Sequence, residues 1–136
     1  KMKIIFDTNI WISHFLCKSF PELTKILIDN KYEIIFSLTL LNELKSVLSR
    51  PKFKFLSPEQ INEIEQLILI RTTFFNDANE IIEQKSRDVK DNFLISLSMI
   101  SNCDYLVTGD EDLLVLKNIN HTKILKWKDF INVIQN

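Results

Sequence analysis

Hydrophobic residues fall into two patterns along the chain. Short apolar runs at residues 3–6, 32–36, 72–75, 105–108 and 123–125 predict buried strands. Between them, apolar positions recur every three or four residues, the period of a helix with one face on a core. Residues 9–16 form the first such stretch. Pro21 suits the first turn of a second, with Leu23, Ile26 and Leu27 on one face. Leu40, Leu41, Leu44, Val47 and Leu48 form the stripe of a third, which Ser37 or Thr39 can cap and Pro51 ends. Ser57-Pro58-Glu59-Gln60 spells a helix start: Ser57 as cap, Pro58 as first helical residue, Gln60 closing a capping box. Residues 91–100, 112–116 and 127–134 complete the helical stretches.

Strands alternating with helices predict an α/β fold, a three-layer α/β/α sandwich around a central parallel sheet of about four to five strands. No linker, repeat or low-complexity tract interrupts the pattern, so residues 1–136 are expected to form a single domain. Only one glycine and three prolines occur, which argues against a turn-rich β-sandwich and against a glycine-rich phosphate loop. Seventeen basic against 18 acidic residues leave a net charge of -1, so the whole chain offers no general attraction for polyanions. Cys17 and Cys103 lack a metal-binding spacing and read as reduced thiols. The apolar run ending at Phe6 is too short for a signal peptide, and no segment reaches the ~20 apolar residues of a membrane span. A cytoplasmic location with no membrane association is the default expectation.

In open parallel sheets, ligands gather beyond the carboxyl ends of the strands. Asp7 ends the first apolar run, and Asp110 follows the run at residues 105–108. Glu43 lies about one turn into the helix after the second run, and Asp91 opens the helix that precedes the 105–108 run. Each has an ordinary alternative role: Asp7, Asp91, Asp110 and Asp112 as caps or turn residues, and Glu43 as a solvated helix acid. Carboxylates crowded together resist joint ionisation, and a hard divalent ion relieves that conflict. Mg²⁺ or Mn²⁺ held this way would orient a phosphodiester and activate a water. Arg50 and Lys52, with Lys45 and Lys54, follow the Glu43 helix and are candidate phosphate contacts. Trp11, Phe15 and Phe20 read as core residues, with base stacking or a partner surface as the alternative. His14 is expected on a helix surface or partly buried, and His121 in a loop.

Four segments in this order resemble the PIN-domain family of nucleases: Ile4-Ile5-Phe6-Asp7-Thr8-Asn9, Leu40-Leu41-Asn42-Glu43-Leu44, Asp88-Val89-Lys90-Asp91-Asn92-Phe93-Leu94, and Asp104-Tyr105-Leu106-Val107-Thr108-Gly109-Asp110-Glu111-Asp112-Leu113-Leu114. Within the family the resemblance is to VapC-like toxin components of bacterial and archaeal toxin–antitoxin pairs, to which Val47-Leu48-Ser49-Arg50-Pro51-Lys52-Phe53 also looks similar. It implies a PIN-like fold and a metal-dependent endoribonuclease in which Asp7, Glu43, Asp91 and Asp110 are the metal-site acids. Asn9, Thr108 and Asp112 would support them, and Asp88 is an extra acid able to share the role of Asp91. It further implies an RNA substrate, a cognate antitoxin that docks on apolar surface of the first helices, and a homodimer. Residues 56–85 carry no motif. Two other readings remain: a PIN-like module that binds metal or RNA without turnover, and a phosphatase or receiver-like α/β protein. Asn9 stands where such a phosphatase needs a second Asp, and a receiver would need paired acids after the first strand.

Overall fold

The computed structural model describes residues 1–16, 20–77 and 92–135. Its elements follow the order β1 (Met2–Phe6), α1 (Thr8–Leu16), α2 (Phe20–Ile28), β2 (Tyr32–Ser37), α3 (Leu38–Leu48), a 3₁₀ turn (Pro51–Phe53), α4 (Pro58–Arg71), β3 (Thr73–Phe75), α5 (Asn92–Ser101), β4 (Tyr105–Val107), α6 (Glu111–Leu114), β5 (Asn118–Ile119), β6 (Thr122–Leu125) and α7 (Trp127–Gln135). Each predicted strand and helix is present, with ends displaced by a residue or so.

The sheet has the order β3-β2-β1-β4-β6-β5. Its pairs are parallel except β5 with β6. Among the described residues, six strands thus stand where about four to five were expected. The addition is β5, two residues that fold back on β6 through Asn120, whose φ of 53° lies in the left-handed region that asparagine tolerates. Two residues are too few to show an alternating pattern. No helix among the described residues is long and apolar enough to cross a membrane.

The strand order fixes where a site can form. From β1 the chain steps outward through β2 to β3, then crosses to the other side of β1 for β4 and β6. Right-handed crossovers therefore put α1 to α4 on one face and α5 and α6 on the other. The direction of winding reverses between β1 and β4, and the chain leaves a crevice at the carboxyl ends of that pair.

The core explains the near-continuous hydrophobicity of the central strands. Ile4, Ile5 and Phe6 of β1 and Ile34, Ile35 and Phe36 of β2 are buried, as strands covered on both faces must be. Phe6 meets Trp11 and Phe130 edge to face, with ring centroids 5.8 and 5.7 Å away, and Trp11 meets Phe36 at 5.5 Å. Such pairs add about 0.5–1.5 kcal/mol each beyond area burial. Trp11 is fully buried and its indole Nε1–H donates to the Phe6 carbonyl at 3.0 Å, which assigns it to the core. Ile10 and Ile12 of the same helix are buried too, so α1 does not offer them as a docking surface. The side chains of Phe15 and Phe20, and all of Cys17, lie outside what the structure describes. His14 is more buried than expected: its Nδ1 lies 2.7 Å from the Ile10 carbonyl and its ring packs on Trp127. Cys103 is free and buried, and burial pushes its thiol pKa up.

Local chemistry sets the helix starts. The Ser57 side chain accepts from Gln60 N at 3.1 Å while Gln60 Oε1 accepts from Ser57 N at 2.8 Å, completing the box read from the sequence. Ser37, rather than Thr39, caps α3, its Oγ accepting from Leu40 N at 3.1 Å.

Candidate functional site

Asp7 is the residue on which β1 ends and α1 begins. Its backbone N–H donates to the Val107 carbonyl of β4 at 2.9 Å, so the strand pairing itself delivers it to the crevice. Its carbonyl accepts from Ile10 N at 2.9 Å and Trp11 N at 3.4 Å, which starts α1, and the nearby backbone amides of Thr8 and Asn9 favour its ionised form. Asp7 is thus a helix cap, as its sequence position allowed, but a cap alone does not account for its surroundings. The side chain is buried, and Oδ2 accepts a 2.7 Å hydrogen bond from the hydroxyl of Thr108, just beyond β4. Burial raises the Asp7 pKa, and the negative charge of Asp110 adds to the rise. The Thr108 hydroxyl and the amides of Thr8 and Asn9 oppose it.

Thr108 joins the two acids. While its hydroxyl donates to Asp7, the same oxygen accepts from the backbone N–H of Asp110 at 3.0 Å. Asp110 caps α6, and its Oδ1 accepts from Asp112 N at 2.9 Å. Asp112 thus reaches Asp110 through its backbone N–H. Asn9 is exposed, and its backbone amide favours the ionised form of Asp7.

Glu43 stands on the exposed side of α3, opposite the buried Leu40, Leu41, Leu44 and Leu48. It lines an open cavity of about 370 Å³ with Thr39, Ser46, Val47, Arg50 and Phe93. Phe93 belongs to the first turn of α5, the helix that Asp91 precedes. Asp91 and Asp88 themselves lie outside the described residues. Arg50 borders the cavity, whereas Lys52 sits over the Phe53 ring at 5.3 Å from its centroid. Lys45 is 3.8 Å from Glu65 of α4.

One acid at this edge gave no sequence signal. Asp77 follows β3 and is buried, and its Oδ1 accepts from both the backbone N–H and the hydroxyl of Thr39, at 2.9 and 2.8 Å. It sits in the stretch without motifs. The one available hint was its place two residues past the third apolar run, as Asp7 follows the first.

The donors at the β1/β4 crevice are carboxylate oxygens, which suit a hard divalent cation. The buried carboxylate of Asp7 and the partly buried one of Asp110 repel each other and gain from such an ion, and Mg²⁺ commonly needs only one or two carboxylates beside its waters. Among the described residues, no three acids or histidines gather closely enough to enclose a metal.

Comparison with known proteins agrees with this architecture. A search of curated proteins finds no significant match. A chain in the solved structure of VapBC2 from Rickettsia felis, bound to a DNA fragment from their promoter, superposes with a TM-score of 0.62 at 19% identity. The superposition covers 93% of this chain and 99% of that one, and demonstrates a shared fold. Residues 3–112 match the PIN domain family, a span running from β1 to the start of α6. With the strand order and the acidic crevice in agreement, the chain belongs to the PIN domain family.

Proposed function

We propose that the protein is a divalent-metal-dependent endoribonuclease, the toxin of a toxin–antitoxin pair. The observation that carries the reading is the Asp7–Thr108–Asp110 arrangement in the β1/β4 crevice: a buried carboxylate, held at raised pKa, tied by one hydroxyl to a second acid. Keeping both acids ionised at neutral pH is costly without a cation. Asp7 and Asp110, joined by Asp91 and Glu43, would hold Mg²⁺ or Mn²⁺. When bound, the ion supplies Lewis-acid polarisation of the phosphate and lowers the pKa of a water.

The chain's own residues then have distinct tasks. Thr108 fixes the Asp7 carboxylate rotamer and the Asp110 backbone together. The backbone amides of Thr8 and Asn9 favour the ionised form of Asp7 from the α1 side. Asp112 N–H occupies one oxygen of Asp110 and leaves the other for ligation. Arg50, on the rim of the Glu43 cavity, would meet a backbone phosphate, whereas Lys52, over the Phe53 ring, would add little.

The structural likeness to VapBC2 supports a cognate antitoxin as partner, and homodimerisation and a cytoplasmic location accompany that reading. The test is incubation of the purified protein with mixed RNA in Mg²⁺ or in EDTA, with product ends analysed. The reading requires internal cleavage in Mg²⁺ alone, leaving 5′-phosphate and 3′-hydroxyl ends. Intact RNA in both conditions, or cleavage insensitive to EDTA, would refute it.

A further inference from the structure

The Asp77–Thr39 contact gives α3 a restraint that its own sequence does not supply. Ser37 satisfies the amide of Leu40, which leaves the Thr39 amide in the first turn to find a partner outside the helix. It finds Asp77, beyond the end of β3, and the Thr39 hydroxyl binds the same carboxylate oxygen. Backbone and side chain of one residue are thereby tied to one atom, which fixes both the place of the turn and the Thr39 rotamer. Asp77 is only 5% exposed, and its Oδ2 has no hydrogen-bond partner among the described residues. Burying a half-satisfied carboxylate costs more than a neutral cap would. The α3 dipole offsets part of that cost.

What the restraint controls is one turn further on. Thr39 and Glu43 are four residues apart, so they stand above one another on the same helix face, and both line the cavity beside Phe93. The leucine stripe anchors the opposite face of α3. The β2–β3 pairing, with Ser37 opposite Phe75, brings Asp77 to the α3 N-terminus and so couples an edge strand to the acid-bearing helix.

We infer that Asp77 is a positioning residue for Glu43, acting through Thr39 to set where the Glu43 carboxylate is held. The inference rests on Glu43 being an acid of the proposed metal site.

Mn²⁺ binding to the full chain, measured by calorimetry, tests it. The proteins are the wild type, Glu43→Gln, Asp77→Ala, Asp77→Asn, and the Glu43→Gln/Asp77→Ala double variant. Residues that orient metal ligands typically change affinity by about 10–100-fold. Asp77→Ala is expected at the lower end, about tenfold weaker. Asp77→Asn, which keeps an acceptor for Thr39, should stay within about threefold of wild type. On the Glu43→Gln background, Asp77→Ala should add nothing, a non-additivity that general destabilisation would not produce. Amide hydrogen exchange at Thr39, read without metal, should accelerate in Asp77→Ala and not in Asp77→Asn. An equal loss of affinity on both backgrounds would overturn the inference. So would wild-type affinity in Asp77→Ala where Glu43→Gln weakens binding. If Glu43→Gln itself leaves Mn²⁺ affinity unchanged, the assignment of Glu43 fails, and the positioning role falls with it.

Discussion

The hydroxyl of Thr108 and the carboxylate of Asp7, 101 residues apart in sequence, meet at 2.7 Å in the crevice between β1 and β4. The same oxygen accepts the Asp110 amide at 3.0 Å, so a single atom sets the relation of two acids. Thr108→Val keeps the shape and removes both bonds. It leaves a buried carboxylate oxygen and an amide without their partner, at a cost of about 1–3 kcal/mol. Denaturant unfolding should record that loss. RNA cleavage should fall by about tenfold or more, as for other residues that orient metal ligands. Thr108→Ser, which retains the oxygen, should preserve both.

Asp7 gives metal-free stability a pH dependence of known sign. Burial, with the Asp110 charge added, raises its folded-state pKa above the ordinary value of 3.8. The folded protein therefore binds this proton more tightly than the unfolded chain, and the ionised group is a burden on the fold. That burden is absent below about pH 3.8 and grows as pH rises through the raised folded pKa. Thermal melts of metal-free wild type and Asp7→Asn should diverge over that window, with the variant gaining relative stability toward neutral pH. Added Mn²⁺ should raise the melting temperature of the wild type and leave Asp7→Asn nearly unmoved. A wild type that gains on the variant with rising pH in EDTA would show that the hydrogen bonds to Asp7 outweigh its burial.

Arg50 and Lys52 should separate in their effect on RNA. Arg50 borders the cavity that contains Glu43, whereas Lys52 lies over Phe53. Loss of one phosphate contact lowers the slope of log affinity against log salt by about 0.7 for a single strand. Binding of a non-cleavable RNA across a salt series should show that drop for Arg50→Ala and little change for Lys52→Ala.

Trp11 belongs to the packing, not to the substrate. Its ring is enclosed by Phe6 and Phe36, and its indole N–H is satisfied by the Phe6 carbonyl. Trp11→Ala should cost about 3–5 kcal/mol in unfolding experiments. RNA affinity of the fraction that remains folded should be unchanged.

The legible part of this structure is the part written in local pattern. Ser57 to Gln60 announces α4 because the capping box is a contact between neighbours. The runs ending at Asp7 and Asp110 reveal acids at strand ends because a doubly covered strand is apolar until it leaves the sheet. What the pattern conceals depends on partners far apart in the chain. Thr39 looks like a second choice of cap for α3, yet its partner is Asp77, 38 residues away. His14 reads as a surface or partly buried imidazole, and it is Trp127, from the far end of the chain, that packs on its ring. The strand β5 is too short to carry a period of its own, and pairing with β6 is what makes it a strand.

The proposed nuclease activity depends on the buried carboxylate of Asp7 holding a catalytic cation between β1 and β4. Its most direct test is the rate of RNA cleavage by wild type and Asp7→Asn, assayed side by side in saturating Mn²⁺, with folding verified by circular dichroism. The variant, although folded, should cleave no faster than wild type in EDTA. A folded Asp7→Asn protein that cleaves RNA at the wild-type rate would contradict it.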